Sequence, residues 1–186
     1  LHKIIIIAGP SGAGKTTVSH YLTKQYKIPR VITHTTRPMR TGEIAGQSYY
    51  FESEASFKKL HFFEHVRYGS YQYGSSRESL ENAWSKNELV SLIVETDGAR
   101  SYLRQLPEQT IFLYLTVSNL RILAARLEQR GDDPAEITKR LASPEFKRDL
   151  QLPKDLESKA ITIVNDDWKR TKQELDHLIR RLQRDL

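Results

Sequence analysis

The chain has 186 residues, 38% of them hydrophobic and 28% charged, with 29 Lys and Arg against 23 Asp and Glu. That length suits one domain with a sizeable core, and no apolar run approaches the roughly 20 residues that span a bilayer. The absence of cysteine excludes disulfides and thiolate metal sites and fits a cytoplasmic setting.

Lys3–Ala8 is an apolar run of the kind a buried strand requires, and the opening residues are not expected to form a signal peptide. Directly after it, Gly9, Pro10, Ser11, Gly12, Ala13, Gly14, Lys15 and Thr16 fit the phosphate-loop pattern G-x-x-x-x-G-K-[ST] at every fixed position. The glycines let backbone N–H groups turn around an anion, Lys15 adds a point charge, and the Thr16 hydroxyl can ligate Mg²⁺. Val18, Tyr21 and Leu22 then mark one face of a helix over Lys15–Tyr26. A weaker strand is expected near Val31–Thr33.

From about Thr35 to Gly74 the alternation of strand and helix breaks, and the short runs Tyr49–Phe51 and Glu64–Tyr68 suggest a small antiparallel sheet. Pro38 disfavours helix at Arg37, so Arg37 and Arg40 lie in an extended or turn segment. Two guanidinium forks aimed at one place would clamp a phosphomonoester, and Tyr49 and Tyr73 would add hydroxyl donors. His34 reads as a local hydrogen-bonding residue. His61 and His65 are spaced to share a helix face, but no third ligand is evident and no zinc site is expected.

A helix over Arg77–Lys86 leads to a strand, Leu89–Glu95, that ends in an acid, with Asp97 two residues on. The carboxyl ends of parallel strands face the ligand crevice. Glu95 there can hold Mg²⁺, directly or through water, and Asp97 can accept hydrogen bonds from a base. A strand at Thr110–Leu115 and a helix at Leu120–Gln129 follow. The polar stretch Gly131–Pro153 contains a helix at Ala135–Leu141, with Asp133 as N-cap, Pro134 at its first position and Glu136 completing a capping box. Ser143-Pro144 stops that helix and Pro153 adds a second break. The chain closes with a strand at Ala160–Asn165 and a helix at Trp168–Gln183 that places Leu175, Leu178, Ile179 and Leu182 on one face. The fold class is therefore α/β: a parallel sheet of the P-loop NTPase type, flanked by helices, with two insertions.

The net charge of +6 suits a nucleic-acid binder or an enzyme that handles several phosphates. No basic stripe interleaved with aromatics is present, so the second reading is favoured and neither nucleic acid nor membrane is expected as a partner.

The succession of the phosphate loop, His34-Thr35-Thr36-Arg37-Pro38-Met39-Arg40-Thr41-Gly42-Glu43, Gly46 to Phe51 and Phe63-Glu64 resembles the guanylate kinase family. The pieces Tyr71 to Ser75, Arg126 to Gly131, Lys139-Arg140-Leu141 and Val164 to Asp167 continue the resemblance to the C-terminus. It implies a parallel core (1–34, 75–125 and 154–186) with a nucleotide monophosphate lobe (35–74) and a lid (126–153). By resemblance Arg37, Arg40, Tyr49 and Tyr73 hold the phosphate of GMP, while Glu64, Ser75, Asp97 and Thr33 read the guanine edge. Guanine N1–H and N2 are donors that a carboxylate such as Glu64 satisfies, whereas adenine N1 is an acceptor it would repel. Thr17 joins Gly9 to Thr16 on the ATP side. Arg126, Arg130 and Arg140 close on the transferring phosphates, and Asn165 lies near adenine.

The sequence departs from the family at Gly98-Ala99-Arg100, where a Gln-Gly pair usually follows the acid, and after Leu141, where the lid helix usually continues. The resemblance implies transfer of the ATP γ-phosphoryl group to GMP with Mg²⁺ as cofactor, catalysed by Lys15, Arg37, Arg130 and Arg140. Two alternatives stay open at this point: a phosphate-loop kinase for another small phosphate, and a non-catalytic interaction module of the same fold.

Overall fold

Four consecutive isoleucines, Ile4 to Ile7, form the centre of strand β1 (Lys3–Ala8), and all four are fully buried. A strand covered on both faces by helices reads as a continuous apolar run, because every side chain enters a core. The computed structural model describes residues 2–185, so Leu1 and Leu186, the outermost residues of the expected core, lie outside the described residues. In it β1 lies between β6 (Leu89–Ile93) and β7 (Thr110–Thr116), and β8 (Ala160–Val164) completes a parallel sheet of order β6-β1-β7-β8.

Alternate residues of β1 enter separate cores. Ile4, Ile6 and Ala8 pack with Leu80 of α3 (Arg77–Trp84) and with Ala99, Tyr102 and Leu103 of α4 (Thr96–Gln105). Ile5 and Ile7 pack with Val18 and Leu22 of α1 (Lys15–Tyr26), Leu123 of α5 (Leu120–Gln129) and Leu175, Leu178 and Ile179 of α9 (Trp168–Asp185). Each fully buried isoleucine stabilises the fold by about 1.5–3 kcal/mol, so β1 alone anchors both layers. Among the described residues no helix is long and apolar enough to cross a membrane.

The region that breaks the alternation forms a second sheet of order β3-β2-β5-β4, from β2 (His34–Thr35), β3 (Tyr50–Phe51), β4 (Phe62–Tyr68) and β5 (Tyr71–Ser76). It is antiparallel at β2–β5 and β4–β5, as expected, but parallel at β2–β3. A short helix, α2 (Glu54–Phe57), precedes β4. His61 and His65 therefore belong to the approach to β4 and to that strand, and share no helix face. His34 is buried between Glu52 and Ser76, with its ring nitrogens 2.8 Å from each. That is the hydrogen-bond order of a hydrolase triad, but Ser76 is 0% exposed and its Oγ accepts from the Ser79 N–H to cap α3. The relay pins the second sheet to the core.

Two expectations need correction. Val31–Thr33 is not a strand: Arg30 makes only an isolated bridge with Ser91, held by the Val31 N–H on the Ser91 carbonyl and the Ser91 N–H on the Pro29 carbonyl. The helix α4 was unexpected, because Asp97-Gly98 reads as a turn signal. Beyond it, α6 (Pro134–Ala142) ends where the prolines predicted, and α7 (Pro144–Asp149) and α8 (Lys154–Glu157) carry the chain back to β8.

The phosphate loop sits on this floor through glycine. Gly9, at φ 142°, passes against β7 so closely that a Cβ would collide with the Leu115 carbonyl oxygen. Gly9→Ala should cost about 2 kcal/mol or more and lower the melting temperature by roughly 4–8 °C, read by thermal denaturation.

Candidate active site

The loop from Gly9 to Gly14 turns from β1 into α1 with Gly12 and Gly14 both at positive φ. Gly14 is the N-cap of α1 and offers no side chain, and the first turn of that helix holds no acid. The N–H groups at this helix start are thus open to an anion. Beneath the loop, Asn165 Nδ2 donates to the Ala13 carbonyl at 2.8 Å, and Arg126 Nη1 donates to the Gly12 carbonyl at 3.2 Å. Lys15 folds over the loop, its Nζ donating to the Gly9 and Pro10 carbonyls at 2.6 and 3.0 Å. Burial lowers its pKa, opposed by the charges of Asp149 and Glu95.

Loop and second sheet face one another across a cavity of about 600 Å³. Of the residues singled out in the sequence, Gly9, Ser11, Lys15, Thr33, Tyr49, Glu64, Tyr73, Glu95 and Arg140 line it. The far end is built around Glu64 on β4. Its Oε1 accepts from the Ser75 N–H at 3.1 Å and from Ser75 Oγ at 2.8 Å, and Ser75 Oγ in turn accepts from Tyr102 Oη at 2.9 Å. Burial pushes the Glu64 carboxyl above its ordinary range; the Ser75 bonds oppose that shift, and the Glu95 charge adds to it.

Arg37 is 6% exposed and lies behind the tyrosines, its guanidinium 5.5 Å from the Tyr49 ring centroid. It donates two hydrogen bonds to Glu43, at 2.6 and 2.9 Å, and Thr35 Oγ1 accepts the Arg37 N–H. The Arg37 bonds, with the Arg40 N–H, hold the Glu43 carboxyl down at about 2. Arg40 itself is exposed. Arg130 and Arg140 both bond Asp132, Arg140 at 2.9 Å, and the Arg130 bond leads in lowering the Asp132 pKa.

Four placements differ from expectation. Asp97 is 60% exposed and outside the cavity: α4 begins directly after Glu95 and turns Asp97 outward, where Arg100 and Arg148 bond it. A Cβ at Gly98 would lie 2.9 Å from Val94 Cβ and 3.3 Å from Glu64 Cγ, so glycine there allows this early start. Asn165 is 5% exposed, with its amide engaged by Ala13 and Thr171, which suits bracing of the loop and leaves nothing to face a base. Arg126 braces the same loop, and Ser75 is fully buried behind Glu64. Thr16 and Thr17 are exposed on the first turn of α1.

Sequence reasoning missed Asp132, Tyr102, Arg148 and Asp149. Tyr102 sits on the unexpected helix, and Asp149 reaches the cavity only because the chain reverses at Ser143. Two arginines bracketing one acid, Arg130-Gly131-Asp132 and Arg140, was a signal within reach. A hard oxygen set of the Thr16 hydroxyl and the Glu95 carboxylate fits Mg²⁺, which takes few protein ligands and completes its shell with phosphate oxygens and water.

Comparison with known proteins gives a consistent picture. Residues 1–182 match the family described as guanylate kinase. The chain is 33% identical over 180 residues to a guanylate kinase of Nostoc, covering 94% of this chain and 87% of that one. It is 35% identical over 150 residues to a guanylate kinase of Thermus thermophilus, covering 78% and 68%. The crystal structure of guanylate kinase from Anaplasma phagocytophilum superposes with a TM-score of 0.64 at 21% identity, covering 98% of this chain and 87% of that one, a likeness of fold.

The environment of Glu64 generates a test that needs no substrate. A carboxyl whose folded pKa is raised contributes stability below its unfolded value and loses that contribution as pH rises through the folded value. As pH rises from acid toward neutral, Glu64 therefore takes stability away from the fold. Glu64→Gln, whose amide oxygen still accepts from Ser75, should melt above the natural protein at pH 7, and the gap should shrink as pH falls toward 4.5. Melting curves across that window check it.

Proposed function

The chain belongs to the guanylate kinase family of nucleoside monophosphate kinases, and from that premise we propose that it transfers the γ-phosphoryl group of Mg²⁺-bound ATP to GMP or dGMP. The observation that carries this reading is the single cavity with the loop and Lys15 at one end and Glu64, Thr33, Tyr49 and Tyr73 at the other. Two nucleotides held there would meet phosphate to phosphate. An oxygen of the acceptor phosphate forms the new bond to phosphorus as the bond to the ADP oxygen breaks. The chemistry needs positioning and charge neutralisation more than a base.

Lys15 and the N–H groups of the α1 start would take the outer phosphates of ATP. Thr16 and Glu95 would hold Mg²⁺, which would supply positive charge to offset that of the phosphates. Tyr49 and Tyr73, with Arg40, would hold the acceptor phosphate, and the buried Arg37, expected there too, would back the two tyrosines. Glu64 would accept from guanine N1–H and N2, fixed in place by Ser75 and Tyr102. Arg126 and Asn165 would serve ATP indirectly, by holding the loop.

In this reading residues 35–74 are the acceptor lobe and 126–153 the lid, on a core of 1–34, 75–125 and 154–186. Arg130 and Arg140, kept together by Asp132, would swing onto the transferring phosphates as the lid excludes water. ATP and GMP are then the partners, in a cytoplasmic setting that suits a chain without cysteine. The outward turn of Asp97 favours one competing reading, a kinase for a different monophosphate, because it removes an acid expected on the guanine edge.

Coupled detection of ADP release with GMP, dGMP, AMP, UMP and CMP decides between them. GMP should be turned over fastest, and in competition GMP should outbind IMP, and both should outbind AMP. AMP competing as well as GMP would overturn the guanine assignment. Lys15→Ala should keep its fold and lose on the order of 10² or more in kcat. Glu64→Gln should cost about 1–3 kcal/mol in GMP binding and less in IMP binding, because a donor then faces the N2 amine that IMP lacks.

A further inference from the structure

The reversal at Ser143 brings two residues of α7 to the carboxyl end of β6. Ser143 ends α6 and caps α7, its Oγ accepting the Phe146 N–H, and Phe146 is buried in the core beneath. Asp149, 8% exposed, is fixed at both its side chain and its main chain. Its Oδ1 accepts from Thr96 Oγ1 at 2.7 Å and from the Thr96 N–H at 3.2 Å, and its carbonyl accepts from Tyr114 Oη at 2.8 Å. It thus supplies the cap that Glu95, the N-cap residue of α4, does not give with its own side chain.

Arg148 ties this corner together. Its Nη2 donates to Glu95 Oε2 at 2.6 Å, its Nε to Asp149 Oδ1 at 3.2 Å, and its Nη1 to Asp97 Oδ2 at 3.4 Å. Glu95 and Asp149 line the cavity, but Arg148 does not; 31% exposed, it stands behind both. Carboxylates crowded at one strand end repel one another, and a guanidinium fork that bonds them removes the repulsion while fixing their directions. A cation so placed cannot touch a phosphate in the cavity without leaving these bonds.

We propose that Arg148 is a positioning residue for phosphoryl transfer, holding the Glu95 and Asp149 carboxylates at the cavity wall and fastening the returning lid to the start of α4. The inference rests on the kinase reading above and deepens it. No resemblance pointed to Arg148, since it lies in the stretch where this chain leaves its family's pattern.

The test compares Arg148→Met, which keeps the apolar stem, with Arg148→Lys, which keeps the charge but not the fork. Arg148→Met should lower kcat/KM for Mg²⁺·ATP roughly 10–100-fold, the usual cost of losing a group that orients a metal-site ligand. Arg148→Lys should recover only part, because an ammonium cannot bridge the carboxylates in one plane. In a Glu95→Gln background, adding Arg148→Met should cost clearly less than it does alone, since part of the arginine's effect runs through that carboxylate. Calorimetry supplies a readout apart from turnover: Arg148→Met should weaken Mg²⁺·ADP about tenfold and leave ADP in EDTA unchanged.

Natural kcat/KM in Arg148→Met, full multiplication of losses in the double variant, or equal weakening of ADP with and without Mg²⁺ would each overturn the proposal. A lowered melting temperature with unchanged kinetics would make Arg148 a purely structural residue and overturn it too. Should the natural protein bind Mg²⁺·ADP but turn over no GMP, the acceptor assignment fails, and the calorimetric comparison alone decides the role of Arg148.

Discussion

The close approach of Gly9 to the Leu115 carbonyl holds the phosphate loop against the sheet, and the site is built outward from it. A side chain at either Gly9 or Gly14 would lift the loop, against β7 in one case and against Asn165 in the other. With the loop seated, Asn165 and Arg126 take the Ala13 and Gly12 carbonyls from below. In a trans peptide the N–H that follows a carbonyl points the other way, so fixing the Ala13 carbonyl downward turns the Gly14 N–H off the floor. Asn165 is itself locked by Thr171 of α9, and its carbonyl accepts from Arg126 at 2.6 Å. Elements far apart in sequence therefore converge on the orientation of a few peptide groups.

How much of this was legible depends on where the determining forces lie. β1, α1 and α5 run over the residues expected of them, because an unbroken apolar run and a 3.6-residue period are local signals. The cavity ends were also legible, since each carries motif residues within short segments. The start of α4 was not. Thr96-Asp97-Gly98 has poor helical preference, and the helix is fixed by Asp149, a cap 53 residues away. A tertiary cap leaves no trace in a local window. Asn165 and Arg126 were expected by resemblance to touch nucleotide, but a place in a motif does not say which way a side chain points.

The start of α4 and the Ser143-Pro144 break meet in space. Glycine at position 98 lets α4 start early and press against Glu64, which turns Asp97 out toward solvent. The Ser143-Pro144 break sends α7 back, and Arg148 and Asp149 then engage Glu95, Asp97 and Thr96 at that same helix start. Each change alone would leave polar groups without partners: an uncapped α4 in one case, a buried Asp149 in the other. Leaving such groups unpaired costs about 1–3 kcal/mol apiece. Together they satisfy each other, which explains how one chain accommodates both.

The same pairing governs the arginines of the site. Arg37 is held by Glu43, Arg130 and Arg140 by Asp132, and Arg148 by Glu95 and Asp149. A chain with a net charge of +6 that gathers cations around one cavity needs such internal counter-charges to stay folded with the cavity open. In the proposed reaction, phosphate binding would exchange carboxylate for phosphate, and its net gain would be the difference between two ion pairs. Exposed pairs contribute little, so Arg130 and Arg140 can leave Asp132 at small cost. Arg37 is buried, bonded twice to Glu43 and stacked near Tyr49, and leaving would strand two charges. Arg130 and Arg140 would therefore suit, in the proposed reaction, a group that arrives and departs with each turnover. The fixed one suits a wall against which Tyr49 and Tyr73 are kept in place.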